Sequence, residues 1–353
     1  MNSRAENSYD FLRFCAASAV IFSHHYALSG FSEPPVPGYG EDFGKLAVEL
    51  FFCLSGFLIC RSLQKTKDWA LFISARILRI FPNLAFALAA TSTATLLWYG
   101  NYAYLWLHAK YIFKNLLMFI FGVSFTIPGA FTDAHNPVLN GPLWSLPSEL
   151  WLYALLFLLF AIGGRLSGAL IVACALVFSA IWSLAPILGD FTIHPISLDG
   201  FQFSRLGSFF LCGSVLAVFW SYFEDRALKL GAIALLMIVP VCHLLPANTI
   251  LHSFVLAVAV IGLGTSNAMA WFSKAGDASY GMYIFGWPCS QFALLLIAPF
   301  WLSMFIAFLA ATAIGYATWH IFEKQAISHR RSLACLLRMK VFRLKQIHHE
   351  TGS

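Results

Sequence analysis

The sequence predicts an all-α fold, a polytopic bundle of about ten transmembrane helices, and three observations carry that prediction. Of 353 residues, 59% are apolar and only 11% are charged. The mean hydropathy of +0.75 lies far outside the balance of a soluble domain. Apolar runs of about twenty residues, the length a helix needs to cross a bilayer, recur along the chain between short polar connections.

Ten runs have that length: 9–30, 43–62, 80–99, 143–163, 166–188, 203–222, 229–247, 250–267, 279–297 and 300–322. An eleventh, 103–122, carries His108, Lys110 and Lys114 near its start. Loop charge orients the set, because cytoplasmic connections are rich in Lys and Arg. The 61–79 connection holds Arg61, Lys65, Lys67, Arg76 and Arg79 against Asp68, whereas Glu33, Glu41 and Asp42 dominate 31–43. The N-terminus is therefore expected in the cytoplasm, with Arg165, Arg226, Lys229 and Lys274 inside and Asp133, Asp190 and Asp199 outside. Residues 324–353 hold seven Lys or Arg and one Glu, which accounts for the whole net charge of +6. Ten spans put this tail in the cytoplasm and eleven put it outside, so 103–122 is read as interfacial or re-entrant.

The expected organisation is a membrane domain over 1–323 and a basic cytoplasmic tail over 324–353. In the tail, Leu333, Leu336, Leu337, Val341, Phe342 and Leu344 alternate with basic residues, a pattern that suits a helix lying on an anionic leaflet. Confinement of the charge to one tail argues for membrane orientation and against nucleic-acid binding. The eight cysteines sit mostly alone in apolar runs without CxxC spacing, and read as small hydrophobic residues, not disulfides or metal ligands. The first run lacks a cleavage pattern and is expected to remain as an anchor.

That first run is also the most polar. Tyr9 to Gly30 contains Asp10, Arg13, His24 and His25, and each ionisable group costs about 2.5–3.5 kcal/mol near the membrane centre. Arg13 and His24 are eleven residues apart, so their side chains point within about 20° of each other, some 16 Å apart in rise. Asp10 lies on the same stripe; His25 points about 100° away and reads as structural.

With ten spans, His24, Glu49 and Glu149 all fall about 8–10 Å from the outer surface. A His beside carboxylates can act as a general base. Toward the other face, Arg76 and Arg79 in ARILRIFP lie on one side of a helix. They can clamp phosphates through their planar forks or simply anchor the chain. Arg13, near the same face, needs an anionic partner, either Asp10 or a ligand.

Together these residues resemble acyltransferase family 3, integral membrane O-acyltransferases that modify bacterial cell-surface polysaccharides. DFLRFCAASAVIFSHH is similar to the family's opening motif, an Arg and a His separated by ten residues. VELFFCLSGFLI (48–59) is similar to its second-helix motif, with Glu49 acidic and Ser55 in the SG pair. ARILRIFP fits an Arg-rich segment ending in proline, and PLWSLPSELWLY (142–153) resembles the WSL…E motif with Glu149. RLGSFFLCGSVLA and GDASYGMYIFGWP resemble weaker, later signatures. Where some members have a His before the late W-P pair, this chain has Gly286, and it ends in a short tail where others carry an SGNH hydrolase-like domain.

The resemblance implies that acyl-CoA, acetyl-CoA above all, is the donor substrate and that no cofactor or metal is permanently bound. Its phosphates would meet Arg76, Arg79 and Arg13 at the cytoplasmic face of the inner membrane. The acceptor would be a lipid-linked or cell-surface glycan such as O-antigen or exopolysaccharide. His24 would deprotonate its hydroxyl or carry the acyl group covalently, assisted by Glu149 or Glu49. Arg205 would hold an anionic part of the acceptor or serve in an ion pair. The competing reading is a glycan or small-molecule transporter or flippase, since intramembrane His, Glu and Arg also mark transport pathways. A membrane scaffold leaves the equal depths without a cause.

Overall fold

The computed structural model describes residues 7–66, 68–100, 102–189, 191–194, 196, 198–245 and 249–351, the last eleven of these by backbone alone. Lys67 and Asp190, two of the orienting charges, lie outside the described residues, as do the side chains of Val341, Phe342 and Leu344.

Among the described residues the architecture is all-α apart from one antiparallel pair of two-residue strands, Thr192–Ile193 and Leu198–Asp199. The helices are α1 (Tyr9–Leu28), α2 (Phe43–Lys65), α3 (Trp69–Tyr99), α4 (Leu105–Leu116), α5 (Met118–Phe121), α6 (Leu146–Gly163), α7 (Ser167–Leu188), α8 (Gly200–Val218), α9 (Ala227–Leu244), α10 (Ile250–Gly264), α11 (Ser279–Leu296), α12 (Phe300–Thr318), α13 (Lys324–Ser328) and α14 (Arg330–Thr351). Each predicted span falls on one of α1–α3 or α6–α12. Six helical stretches are long and apolar enough to cross a membrane by composition: 43–65, 69–99, 141–188, 200–218, 224–244 and 300–328. Both α1 (20 residues) and α11 (18 residues) have spanning length and are held below that composition by their polar residues.

Local chemistry sets the boundaries. Asp42 caps α2 through the Lys45 amide at 2.7 Å, and Asp68 caps α3 through the Ala70 and Leu71 amides. Gly100 ends α3 in the left-handed region at φ +65°. At 31 residues, α3 is about 46 Å long, more than the ~30 Å hydrocarbon core. Arg76 and Arg79 therefore belong to the same continuous helix as the predicted span 80–99. In contrast, α4 has 12 residues and reaches only about 18 Å, too short to cross. It folds back against α3 through Ser92 and His108 at 2.7 Å. The Trp151 indole donates to the Phe119 carbonyl at 3.0 Å and ties α5 to α6.

At the centre α2 lies between α8 and α1, while α11 packs on α12 and α1. Without a hydrophobic force between helices in lipid, close approach of small residues supplies the packing. Any Cβ on Gly56 would overlap the Phe210 carbonyl, and one on Gly213 would overlap that of Cys53. Ser214 adds a hydroxyl bond to the Gly56 carbonyl at 3.1 Å.

Gly56→Ala is expected to force α2 and α8 apart. Overpacking of this kind costs about 1–3 kcal/mol, so the thermal unfolding midpoint in detergent should fall. An unchanged midpoint would contradict this packing.

Candidate active site

A cavity lies at each end of the stripe on α1. One, of about 470 Å³, surrounds Asp10 and Arg13 and reaches Ser55, Arg76, Arg79 and Glu149. The other, of about 660 Å³, surrounds His24 and reaches Glu33, Lys45, Lys114, Trp144 and Arg205. Val48, only 4% exposed, lines both. The arrangement follows from helical phase: Val48, Phe52, Ser55 and Ile59 recur on one face of α2 and wall the Arg13 cavity.

Charges in the Arg13 cavity are largely cross-linked. Arg79 holds Asp277 with Nη2 and Glu323 with Nη1, both at 2.5 Å. Arg13 reaches the same Asp277 oxygen at 3.1 Å. The Asn83 amide donates to Glu323 at 2.7 Å. Four segments, α1, α3, the start of α11 and the end of α12, are joined by these bonds. Burial alone would raise the Asp277 carboxyl, but Arg79 and Arg13, with the Ser279 hydroxyl and amide, hold it well below its ordinary value. Arg76 differs: it makes no ion pair among the described residues, and its buried Nε has no hydrogen-bond partner. Glu149 accepts from the Ser55 hydroxyl at 3.0 Å and from the Tyr153 phenol.

In the His24 cavity, His24 Nδ1 stands 3.7 Å from Glu33 Oε1, an ion-pair separation longer than a hydrogen bond. Its ring meets Trp287 edge-on at 5.1 Å, and Trp287 is fixed by donating to the Val138 carbonyl at 2.8 Å. Glu33 also accepts from the Ser23 hydroxyl. Burial would raise the Glu33 carboxyl, but His24, Ser23 and the Lys45 charge outweigh it and keep the group below its ordinary value.

The loop bearing Glu33 is anchored underneath. Tyr39 donates to Glu49 Oε2 at 2.5 Å, and Arg205 binds Glu49 Oε1 through Nε at 2.9 Å and Nη2 at 2.7 Å. Burial and the adjoining Glu49 push the Tyr39 phenol well above its ordinary value, so it remains a donor.

The expected convergence of His24, Glu49 and Glu149 into one site is not what the geometry shows. Glu149 lines the Arg13 cavity, and Glu49 is 1% exposed and lines neither. The physical reason is angular: Glu49 follows Val48 by one residue, about 100° round α2, which turns it toward α8. Equal depth placed the residues at one level without placing them on one side. The carboxylate beside His24 is Glu33, visible in the sequence only as a loop charge. Arg13, Asp10, Arg76, Arg79 and Ser55 do share one cavity, and Arg205 lines the other while serving an ion pair. His25 is buried against Ser303 at 3.0 Å. At Gly286, a Cβ would come within 2.6 Å of Ile21, so the backbone there packs directly on α1.

Comparison with known proteins places this geometry in context. A family model described as "Acyltransferase domain" matches residues 6–320. An O-acetyl transferase of Shigella phage Sf6 is 26% identical over 333 residues, covering 91% of this chain and 96% of that protein. Nodulation protein 10 of Rhizobium leguminosarum bv. viciae is 34% identical over 197 residues, covering 52% of each. No solved structure gives a significant match.

Removing Arg79 takes the cation from the buried Glu323 and leaves Asp277 to Arg13, and breaking a buried pair typically costs about 3–5 kcal/mol. Arg79→Ala should therefore lower the unfolding midpoint sharply, while Arg76→Ala should leave it near wild type. Because the folded pKa of Asp277 is depressed, its contribution is present above about pH 4 and is lost only as pH falls through the folded value.

Proposed function

The chain belongs to the acyltransferase family, and from that premise we propose that it is an O-acyltransferase of the bacterial inner membrane. It takes an acyl group, acetyl foremost, from cytoplasmic acyl-CoA and delivers it to a hydroxyl of a lipid-linked or extracytoplasmic glycan. The observation that carries this reading is the pair of cavities that share Val48 in their walls, one holding Arg76, which makes no ion pair among the described residues, and the other holding the His24–Glu33 pair. The loop charges support cytoplasmic termini, and the phage O-acetyl transferase supports acetyl as the group transferred.

The donor's phosphates bind in the Arg13 cavity, where Arg76 presents a free planar fork. The pantetheine arm runs along the stripe of α1 past the Ser55, Glu149 and Tyr153 cluster, which can hydrogen-bond its amides. About 16 Å separates Arg13 from His24, and the thioester passes Val48 to reach the second cavity. There the acceptor hydroxyl gives its proton to His24 as its oxygen attacks the thioester carbonyl. The new C–O bond forms, the C–S bond breaks, and the departing thiolate takes the proton back from the imidazolium. Glu33 fixes the ring and stabilises its charged form, while Tyr39, Glu49 and Arg205 hold the loop that carries Glu33. Trp144, in the wall of the same cavity, offers an apolar face to a sugar ring.

Purified protein in liposomes, given labelled acetyl-CoA and the host's glycan, should acetylate the glycan. His24→Ala should abolish transfer, and Glu33→Gln should lower kcat by about 10²-fold with little change in donor KM. Glu49→Gln should instead reduce thermal stability together with activity. Normal transfer by a stably folded His24→Ala protein would refute the assignment.

A further inference from the structure

The basic C-terminal segment lies beyond the residues matched by the family model, which end at 320. Its path is nevertheless fixed. A π-helical turn, Trp319–Glu323, ends α12, and turns of this kind recur at functional sites. Glu323, fully buried, is bound by Arg79 and Asn83, and His320 Nε2 pairs with the Ala275 carbonyl at 3.1 Å. Beyond it, α14 packs along α3, with Ala334 buried and Arg338 paired to Asp68, the residue that caps α3. The segment is thus held at Glu323 and again at Arg338. Between those two ties, Ile327 and Arg330 line the Arg13 cavity.

Charge pairing separates the four arginines of this cavity into two kinds. Arg13 and Arg79 are neutralised by Asp277 and Glu323. Arg76 and Arg330 enter no ion pair among the described residues. Arg76 sits on α3 with a buried Nε, whereas Arg330 is exposed. One free cation therefore lies within the cavity and one at its water-facing rim. An acyl-CoA donor carries two separate anionic groups, a pyrophosphate next to the pantetheine arm and a 3′-phosphate on the ribose. The group nearer the arm enters further, and the ribose phosphate stays at the rim.

Building on the donor reading above, we infer that the C-terminal segment completes the donor site and that Arg330 binds the ribose 3′-phosphate of acyl-CoA. Arg330 is then a substrate-binding residue contributed from outside the family's matched domain. The tail is a wall of the donor cavity, beyond its part in membrane orientation. Arg suits this position because its fork can meet two phosphate oxygens at once, where Lys offers a point charge.

The test compares two donors, acetyl-CoA and acetyl-3′-dephospho-CoA, on the full-length protein and on Arg330→Ala, Arg330→Lys and Arg331→Ala. Wild type should show a KM on the order of tenfold lower for acetyl-CoA, the lower end for a charge-assisted contact. Arg330→Ala should lose most of that preference by raising the acetyl-CoA KM alone. Arg330→Lys should restore part of it, and Arg331→Ala should match wild type. Equal KM values for the two donors in wild type, or a preference that survives in Arg330→Ala, would overturn the assignment of Arg330 while leaving acyl-CoA as the donor. Failure of the wild-type protein to use acetyl-CoA at all would overturn the donor reading and this inference with it.

Discussion

The fork of Arg79 between Asp277 and Glu323 is the contact on which the rest of this structure depends. An unpaired charge at membrane depth is costly, and two carboxylates buried at that end of the bundle would be worse without a shared cation. Meeting at one guanidinium, they draw together helices far apart in sequence: α3 carries the Arg, the approach to α11 carries one acid, and the end of α12 carries the other. Arg13 joins through Asp277 and brings α1 with it. The latch shapes the Arg13 cavity and directs the chain beyond α12 back across its mouth. It also consumes two of the arginines that a motif reading assigns to substrate, Arg13 and Arg79, and leaves Arg76 beside them with no ion pair among the described residues.

A second buried pair does comparable work at the other end. Arg205 and Glu49 neutralise each other with both side chains buried, and Tyr39 uses the remaining carboxylate oxygen to pin the loop that delivers Glu33 to His24. Each end of α1 thus has a rigid ionic support beside a polar residue left available to a ligand. That division lets a membrane protein keep reactive groups in its interior without leaving their neighbours unsatisfied.

Much of the fold was legible in the sequence, because span length is a one-dimensional signal. The α1 stripe was legible for the same reason: Arg13 and His24 share a helix, so their spacing fixes their relative direction. Contacts between helices were less accessible. Glu49 has the depth expected of a partner for His24, yet the rotation of α2 about its own axis turns it to Arg205, and no periodicity within α2 reveals that angle. Glu33 lies in the loop between α1 and α2, whose path depends on Tyr39 and on backbone bonds between Pro34 and Phe43. Asp277 and Glu323 stand 198 and 244 residues from Arg79, so nothing local marks them as its partners. The tail read as an orientation anchor because its charge is obvious and its packing along α3 is not.

Membership of the acyltransferase family separates this chain from the transporter reading, which the paired cavities alone would also suit. The two readings differ physically in what would pass Val48: an acyl group in the proposed transfer, a whole solute in transport. The most direct measurement is transfer across a sealed bilayer. Protein in oriented liposomes receives labelled acetyl-CoA only on the side of the tail and acceptor glycan only on the other. Labelled acetyl should appear on the glycan while the CoA moiety stays on its original side. Acetylation only when donor and acceptor share a compartment, or passage of intact acetyl-CoA, would contradict a transfer path through Val48 to His24.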